Sequence, residues 1–367
     1  MHRPSLGIYG PAGSNRSGVT EYLDLLAEQL KCYCDCVRVS NANYCSPLHF
    51  DKVLYNIGNN LLHRCVFQAL RERRGPTIIH EFICLDYFLS DWDLLPESER
   101  AFLLRGYSQV LGETFRSGNE LRLYFDKRRE FDRYSVDIRS ESLFIDKAGT
   151  MALHSRSVTN FLASRYQAKL FRTIPFPVMA TAAPILSDIR QRMGIPADAF
   201  VFGSFGFIGE YKRLEKVFLA WELFEKEFPE AYLVVVGERQ YEIAIPPSNR
   251  IVYHSYLEDS REFDQWLLSI DCGIQLRFPS LGETSATISK LLAHQIPVIV
   301  SRIPFMSQLL QSKDVYSVSP DAREVETLCD CMKLVQARAP SPRAYDPNHS
   351  PEGVAAQLFD MVVSEEG

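Results

Sequence analysis

Residues 271–301, DCGIQLRFPSLGETSATISKLLAHQIPVIVS, constrain the fold most, because they read as strand, loop, helix and strand in one short stretch. Ile274 and Leu276 lie in a short apolar run that Pro279, Ser280 and Gly282 break. Thr284 and Ser285 are suited to cap the helix that follows. Ile288, Leu291 and Leu292 recur on one helical face, and Pro297 with VIVS opens a buried strand. A loop at a strand's carboxyl end that feeds a helix N-terminus is a ready anion site. The first helical N–H groups lack internal partners there, and the helix dipole favours negative charge. Gly282 to Ala286 line that site, and the Glu283 carboxylate either caps the helix or accepts hydrogen bonds from sugar hydroxyls.

The same alternation runs along the chain. Strands are predicted at 5–10, 35–40, 52–57, 76–82 and 150–155, with helices at 19–30, 60–73 and from 156 to about Tyr166. Residues 87–147 interrupt the rhythm. They are rich in charge and aromatics and read as a mostly helical insertion covering one edge of the first sheet. The run DKRREFDRY at 126–134 is a solvated helix face or, alternatively, a membrane- or acceptor-facing element. The proline-rich stretch 170–184 reads as a linker. Alternation then resumes with strands at 201–207, 232–238 and 250–256, helices at 213–228 and 260–269, the opening unit, a strand at 314–319 and a helix at 321–337. Strands alternating with helices imply parallel sheets. The expected fold class is therefore α/β, with two Rossmann-like βαβ domains facing across a cleft. They comprise residues 1–174 and 175–345, followed by a tail helix within 346–367 that packs back on the N-terminal domain.

Composition narrows the partners. A chain of 367 residues exceeds one ordinary core, which supports two domains. A net charge of −6 argues against nucleic acid as the main ligand, while leaving room for a local basic face and peripheral membrane contact. No apolar run reaches the ~18 residues of a membrane span, and MHRPSLGIYG enters a strand at once, so a cytoplasmic location is expected. None of the nine cysteines forms a CxxC pair. The CxCxC at 32–36 admits a zinc site, but buried free thiols in a reducing cytoplasm are the preferred reading.

Several loops carry chemistry. GSNRSGVT at 13–20 has the glycine spacing of a P-loop, but Val19 stands where the lysine must be, which argues against an NTPase reading. Gly18 still permits close backbone approach by a ligand; the alternative is a plain turn. Asn56, Asn59, Asn60 and His63 cluster after a strand end, placed to bond sugar hydroxyls or to cap a helix. His80 ends the strand PTIIH and is a candidate acid/base or hydrogen-bonding group, and His154 with Ser155 repeats the pattern. In the second half, Gly206 and Gly209 allow a tight loop before Lys212 and Arg213. Cations at a helix start oppose the dipole, so an anionic ligand, a diphosphate, is implied.

Taken together, these residues resemble a GT-B-fold glycosyltransferase of glycosyltransferase family 4. The resemblance covers nearly the whole chain and is strongest in FGFIGEYKR, YLVVVGE and RFPSLGETSATISKLLAHQIPVIVS, with looser matches in NRSGVTEYLDLLAEQL, VLYNIGNN and IIHEF. It implies retaining transfer from a UDP- or GDP-sugar to a saccharide or lipid-linked acceptor, without a metal. Lys212 matches the family's diphosphate-binding lysine and His80 its active-site histidine. Phe207 and Ile208 stand where an arginine is usual, which leaves Arg213 as partner. Gly206, Gly237 and Glu238 would line the donor. The family's two glutamates fall at Gly282 and Lys290, so the acid is displaced to Glu283 in a GETS variant. An ammonium cannot accept ribose hydrogen bonds. That recognition would shift to VYHSYLED, with Tyr256. Asn56, Asn59, His63 and His154 would serve the acceptor. A scaffold that has lost donor chemistry and binds a glycan or protein is the alternative. A phosphorylase or epimerase on the same fold would need acid or cofactor residues that are not evident.

Overall fold

The computed structural model describes residues 3–12, 18–127, 136–180, 186–255, 257, 259–280, 282–338 and 344–365. The chain divides into two compact units. One comprises Met1–Pro177, Leu281–Thr284 and Pro351–Gly367; the other comprises Val178–Ser280 and Ser285–Ser350.

The first unit opens with β1 (Ser5–Tyr9), α1 (Gly18–Leu30), β2 (Asp35–Val39), β3 (Lys52–Ile57), α2 (Arg64–Glu72) and β4 (Thr77–Ile79). It continues through α3 (Leu85–Ser90), α4 (Glu97–Leu111), α5 (Gly118–Lys127), α6 (Ser142–Ile145), β5 (Met151–Leu153), α7 (Arg156–Arg165) and β6 (Phe171–Thr173). All six strands are parallel, in the order β2-β1-β3-β4-β5-β6. Helices cover both faces of such a sheet, so its central strands are apolar without interruption: every residue of β3 after Lys52 is buried. Tyr22, Leu23, Leu26 and Leu30 turn one face of α1 inward, as their spacing requires.

Two expectations need correction here. The linker reading of 170–184 missed β6, which pairs with β5. This edge strand is only three residues long and half-exposed, so it lacks the apolar run of its neighbours. The helix expected at 60–73 is divided: Asn60 caps a 3₁₀ turn, Leu61–His63, and α2 begins at Arg64. The insertion at 87–147 is described in part. It joins β4 to β5, which are neighbours inside the sheet, and it packs on α2. Phe67 of α2 stacks on Tyr87 of α3 at 3.8 Å and meets Phe144 of α6 edge-on. The charge run at 126–134 lies for the most part outside the described residues.

The second unit contains α8 (Leu186–Arg192), β7 (Val201–Phe205), α9 (Leu214–Phe224), β8 (Tyr232–Val236), β9 (Ile251–His254), α10 (Ser260–Leu268), β10 (Cys272–Gln275), α11 (Ala286–Ala293), β11 (Val298–Ser301), β12 (Val315–Val318) and α12 (Glu324–Gln336). Its parallel sheet runs β12-β11-β10-β7-β8-β9. Read from β9, this is the doubly wound order of a dinucleotide-binding sheet, with its switch point between β7 and β10. The period of two along β8 divides the core. Leu233 and Val235 pack with Trp221 and Phe224 of α9, while Val234 and Val236 pack with Trp266 of α10 and Leu291 of α11.

The last helix, α13 (Pro351–Ser364), belongs to the first unit. Phe359 stacks on Tyr33 at 4.9 Å, and the Thr150 N–H donates to the Glu365 carboxylate at 3.0 Å. All nine cysteines are free. The Cys34 and Cys36 sulfurs are 3.5 Å apart, and among the described residues no group of three or more His, Cys, Asp or Glu is arranged to hold a metal. No helix among the described residues is long and apolar enough to cross a membrane.

Phe67 ties the insertion to the sheet-bearing part of its unit. Phe67→Ala is expected to cost about 3–5 kcal/mol, the range for a large aromatic removed from a core. Urea unfolding should show a lower midpoint, and limited proteolysis should cut first within residues 87–127. An unchanged midpoint would contradict this packing role.

Candidate functional site

In sheets of this kind, ligands bind beyond the carboxyl ends of the strands at the switch point. In the second unit that point is built from the loops after β7 and β10. Gly206 follows β7 with φ +98°, a conformation that a side chain would strain. Its carbonyl oxygen would lie 2.0 Å from a Cβ at position 237, so Gly237 has to be glycine. The loop then continues the ladder: the Ile208 N–H donates to the Glu238 carbonyl at 2.9 Å, and the Gln240 N–H to the Ile208 carbonyl at 3.0 Å. Tyr253 Oη donates to the Gly237 carbonyl at 3.1 Å.

A 3₁₀ turn, Glu210–Lys212, brings the Lys212 side chain back to the strand end. Its ammonium donates to the Phe205 carbonyl at 3.4 Å and would sit 3.5 Å from a Cβ at Gly206. Lys212 is only 9% exposed, which is unusual for a lysine and means that its charge is set in a crevice. Arg213 goes elsewhere. It takes a left-handed conformation (φ 54°) before α9 and grips Glu324, which is 1% exposed, with Nε at 2.7 and 2.9 Å from the two carboxylate oxygens and Nη2 on the same group. The expected diphosphate clamp is thereby corrected for Arg213: its guanidinium holds the start of α12.

A second cation, Arg277, was not singled out by the sequence reading. It follows Leu276 at the end of β10. Its N–H donates to Ser301 Oγ at 2.9 Å, its Nη2 donates to Ser285 Oγ at 3.2 Å, and its guanidinium lies over the Tyr211 ring. Tyr211 precedes Lys212, and its carbonyl accepts the Phe278 N–H at 2.8 Å, which ties the two loops together. Ser285 caps α11 by accepting from the Ile288 N–H, and Ala286 opens the helix. A guanidinium bonded to a helix N-cap opposes the dipole, the same signal that singled out Lys212. Eight residues separate Arg277 from Ser285 in the chain, so only the folded loop shows the contact.

Lys290 is paired with Asp264 at 2.6 Å and lies over the Phe263 ring. Gly282 has φ +70°, and a Cβ there would lie 2.0 Å from the Phe82 ring, so no glutamate fits at 282. The acid stands one residue on, at the half-buried Glu283. Thr284 is not the cap; its N–H points to the His80 carbonyl at 3.4 Å. Tyr256 lies outside the described residues, as do residues 13–17 of the first loop. Gly18 is exposed at the start of α1, and an added Cβ would meet nothing within 4 Å.

The first unit gathers imidazoles at its strand ends. His80 follows β4 and His154 follows β5, with ring centroids 5.8 Å apart. Tyr22 of α1 meets both edge-on, at 4.8 and 5.2 Å, and Phe176 lies against Tyr22 and His154. His154 Nδ1 is 2.8 Å from the Ile174 carbonyl, which can only accept, so this nitrogen carries the proton. Asn56 is fully buried between the Tyr9 carbonyl and His80 Nε2. Burial, with His154 and His63 adding repulsion, holds the His80 pKa well below the ordinary histidine value.

Two acceptor-site expectations are corrected by burial and bonding. Asn59 spends its amide inside the fold: Nδ2 donates to Asp86 at 2.8 Å and Oδ1 accepts from the Tyr87 N–H at 3.2 Å, anchoring α3. His63 is 1% exposed, donates from Nδ1 to the Asn56 carbonyl at 2.8 Å and packs on Gly58. Burial lowers its pKa to about 4.

No family model matches the chain, and no curated protein matches it by sequence. Solved structures do match. The catalytic domain of starch synthase IV from Arabidopsis thaliana, bound to ADP and acarbose, aligns with a TM-score of 0.59 at 8% identity, covering 99% of each chain. HepE from Anabaena in complex with UDP-glucose aligns with a TM-score of 0.56 at 14% identity, over 98% of this chain and 96% of that one. WaaG, a glycosyltransferase involved in lipopolysaccharide biosynthesis, aligns with a TM-score of 0.53 at 10% identity, over 98% and 96%. The fold is GT-B. The two six-stranded parallel sheets are the two α/β domains of that glycosyltransferase architecture.

Arg213 and Glu324 make a testable pair. Arg213→Ala strands a buried carboxylate and should cost about 3–5 kcal/mol of stability. Arg213→Ala/Glu324→Ala should recover part of that loss in a double-mutant cycle by urea unfolding. Additive losses would show that the pair is not coupled.

Proposed function

We propose that this protein is a retaining glycosyltransferase of glycosyltransferase family 4. It would transfer a sugar from a UDP- or GDP-sugar to a saccharide or lipid-linked acceptor. The observation that carries the reading is the nearly buried Lys212 ammonium beside Gly206, at the switch point of a doubly wound sheet. A cation at that point lies where such sheets bind nucleotides, and a nucleotide diphosphate is the anion of that ligand class. The bound ADP and UDP-glucose of the similar starch synthase and HepE structures agree with that ligand class.

In this reading, Lys212 stabilises the charge that develops on the diphosphate as the bond from sugar C1 to the phosphate oxygen breaks. An acceptor hydroxyl replaces that oxygen on the same face of the sugar, and its proton leaves with the departing group. Preorganised charge of this kind is usually the largest catalytic contribution. Arg277 supplies a second cation, in place of the arginine that the family carries where Phe207 and Ile208 stand here. The free N–H groups at the start of α11, around Ser285 and Ala286, add to it. Gly206 and Gly237 keep the backbone low enough for the ligand to approach, with Glu238 beside them. Glu283 and His80 are assigned to sugar hydroxyls and His154 to the same polar rim of the first unit, while the fully buried Asn56 stands behind His80 and is withdrawn from the acceptor set. No metal is invoked.

The second reading is a scaffold without donor chemistry. It is favoured by Gly282 and by the pairing of Lys290 with Asp264, where the family carries its two acids.

The two readings separate on one assay. Release of UDP or GDP from a panel of nucleotide sugars, with saccharide acceptors, should be detectable in the wild type. It should fall by at least ~10²-fold in Lys212→Ala, as when one oxyanion donor is removed. Full activity in that variant would overturn the role of Lys212. Absence of both turnover and nucleotide binding in the wild type would favour the scaffold.

A further inference from the structure

We infer that Asn56 is a positioning residue that locks His80 as the neutral Nε2–H tautomer and so presents Nδ1 as a fixed hydrogen-bond acceptor. The inference starts from the asymmetry of an amide. Asn56 is 0% exposed, and its Nδ2 is 3.1 Å from the Tyr9 carbonyl oxygen, which has no proton to give. The NH₂ group must therefore face Tyr9, and the Oδ1 end faces His80. Oδ1 is 3.3 Å from His80 Nε2 and can only accept. A buried carbonyl oxygen without a donor is costly, so Nε2 has to carry the proton.

A neutral imidazole with its proton on Nε2 has a lone pair on Nδ1. No described residue hydrogen-bonds His80 through Nδ1. The backbone of His80 is fixed as well: its N–H donates to the Ile57 carbonyl at 2.9 Å, and its own carbonyl faces the Thr284 N–H. The ring orientation is thus set from three sides, by Asn56 on β3, by the β4 backbone and by the edge of Tyr22 on α1.

The surroundings also keep the ring neutral. The titratable groups packed around it are His154 at the end of β5, His63 after β3 and Tyr22 on α1. None offers a negative charge: His63 is itself held neutral by burial, and burial raises the Tyr22 pKa. Asn56 meets His80 with an amide, not a carboxylate. An aspartate there would draw a proton onto the ring; asparagine orients it without charging it. His80 is therefore built to accept a hydrogen bond from a hydroxyl at Nδ1, at a strength that does not vary with pH in the neutral range. That this hydroxyl belongs to a sugar rests on the transferase reading above. The tautomer does not.

The test is read on the resting full-length protein without substrate, so a failed tautomer and a failed transfer assay are separate results. Long-range 1H–15N correlation on histidine-labelled protein, with His80 assigned by loss of its signals in His80→Gln, should show a pyrrole-like Nε2 and a pyridine-like Nδ1. One tautomer should dominate by roughly ten-fold or more, the preference set by an otherwise unsatisfied buried acceptor. The pattern should persist unchanged from pH 8 down to pH 5.5. In Asn56→Leu, Nε2 loses its acceptor and the spectrum should move toward averaged, two-tautomer shifts. An Nδ1–H pattern, averaged shifts in the wild type, or titration near pH 6.5 would each overturn the inference. The wild-type spectrum decides the matter even if Asn56→Leu does not fold.

Discussion

The site in the second unit depends on two backbones meeting with no side chain between them. Gly237 closes on the Gly206 carbonyl so tightly that a Cβ would overlap it at 2.0 Å. This approach lets the loop after β7 go on pairing with the chain after β8, through Ile208, Glu238 and Gln240, beyond the last strand residues. The extended pairing fixes where the 3₁₀ turn begins, and the turn returns the Lys212 ammonium to the end of its own strand. Without the glycine pair the loop would splay, and the lysine would find water. The charge is thus held in a crevice by backbone geometry, with Arg213 diverted to brace α12 through Glu324.

The first unit uses a different device. At the end of β4 it carries a neutral hydrogen-bonding group, His80, packed on the Tyr22 ring, where burial suppresses its charge. The second unit presents cations, Lys212 and Arg277, at its switch point. In the transferase reading proposed above, the diphosphate goes to the cations of the second unit. Neutral acceptors orient hydroxyls without competing for the anion.

Much of this was legible in the sequence because it rests on local physics. Parallel strands buried on both faces must be continuous apolar runs, so β3, β8 and β11 stood out, and with them the α/β alternation. Lys212 was legible because a cation at a helix start contradicts the dipole. Arg277 carries the same contradiction, but its link to the cap of α11 needs the fold of the loop to become visible. Asn59 and His63 misled because a polar cluster after a strand reads alike whether its groups face a ligand or each other; only Asp86 and the Tyr87 N–H, distant in sequence from Asn59, reveal the difference. Tyr22 was hidden for the opposite reason: its place on the apolar stripe of α1 gives no hint that its ring shields two histidines. Strand β6 was too short and too exposed to show a period.

The central claim is that Lys212 belongs to a diphosphate. Isothermal calorimetry of the wild type and Lys212→Ala against UDP, GDP and the corresponding nucleosides tests it most directly. One nucleoside diphosphate should bind the wild type more tightly than its nucleoside, and Lys212→Ala should erase about 10-fold or more of that difference, the worth of one charge-assisted contact. It should leave the affinity for the nucleoside unchanged. Equal loss for diphosphate and nucleoside, or no loss for either, would contradict the account.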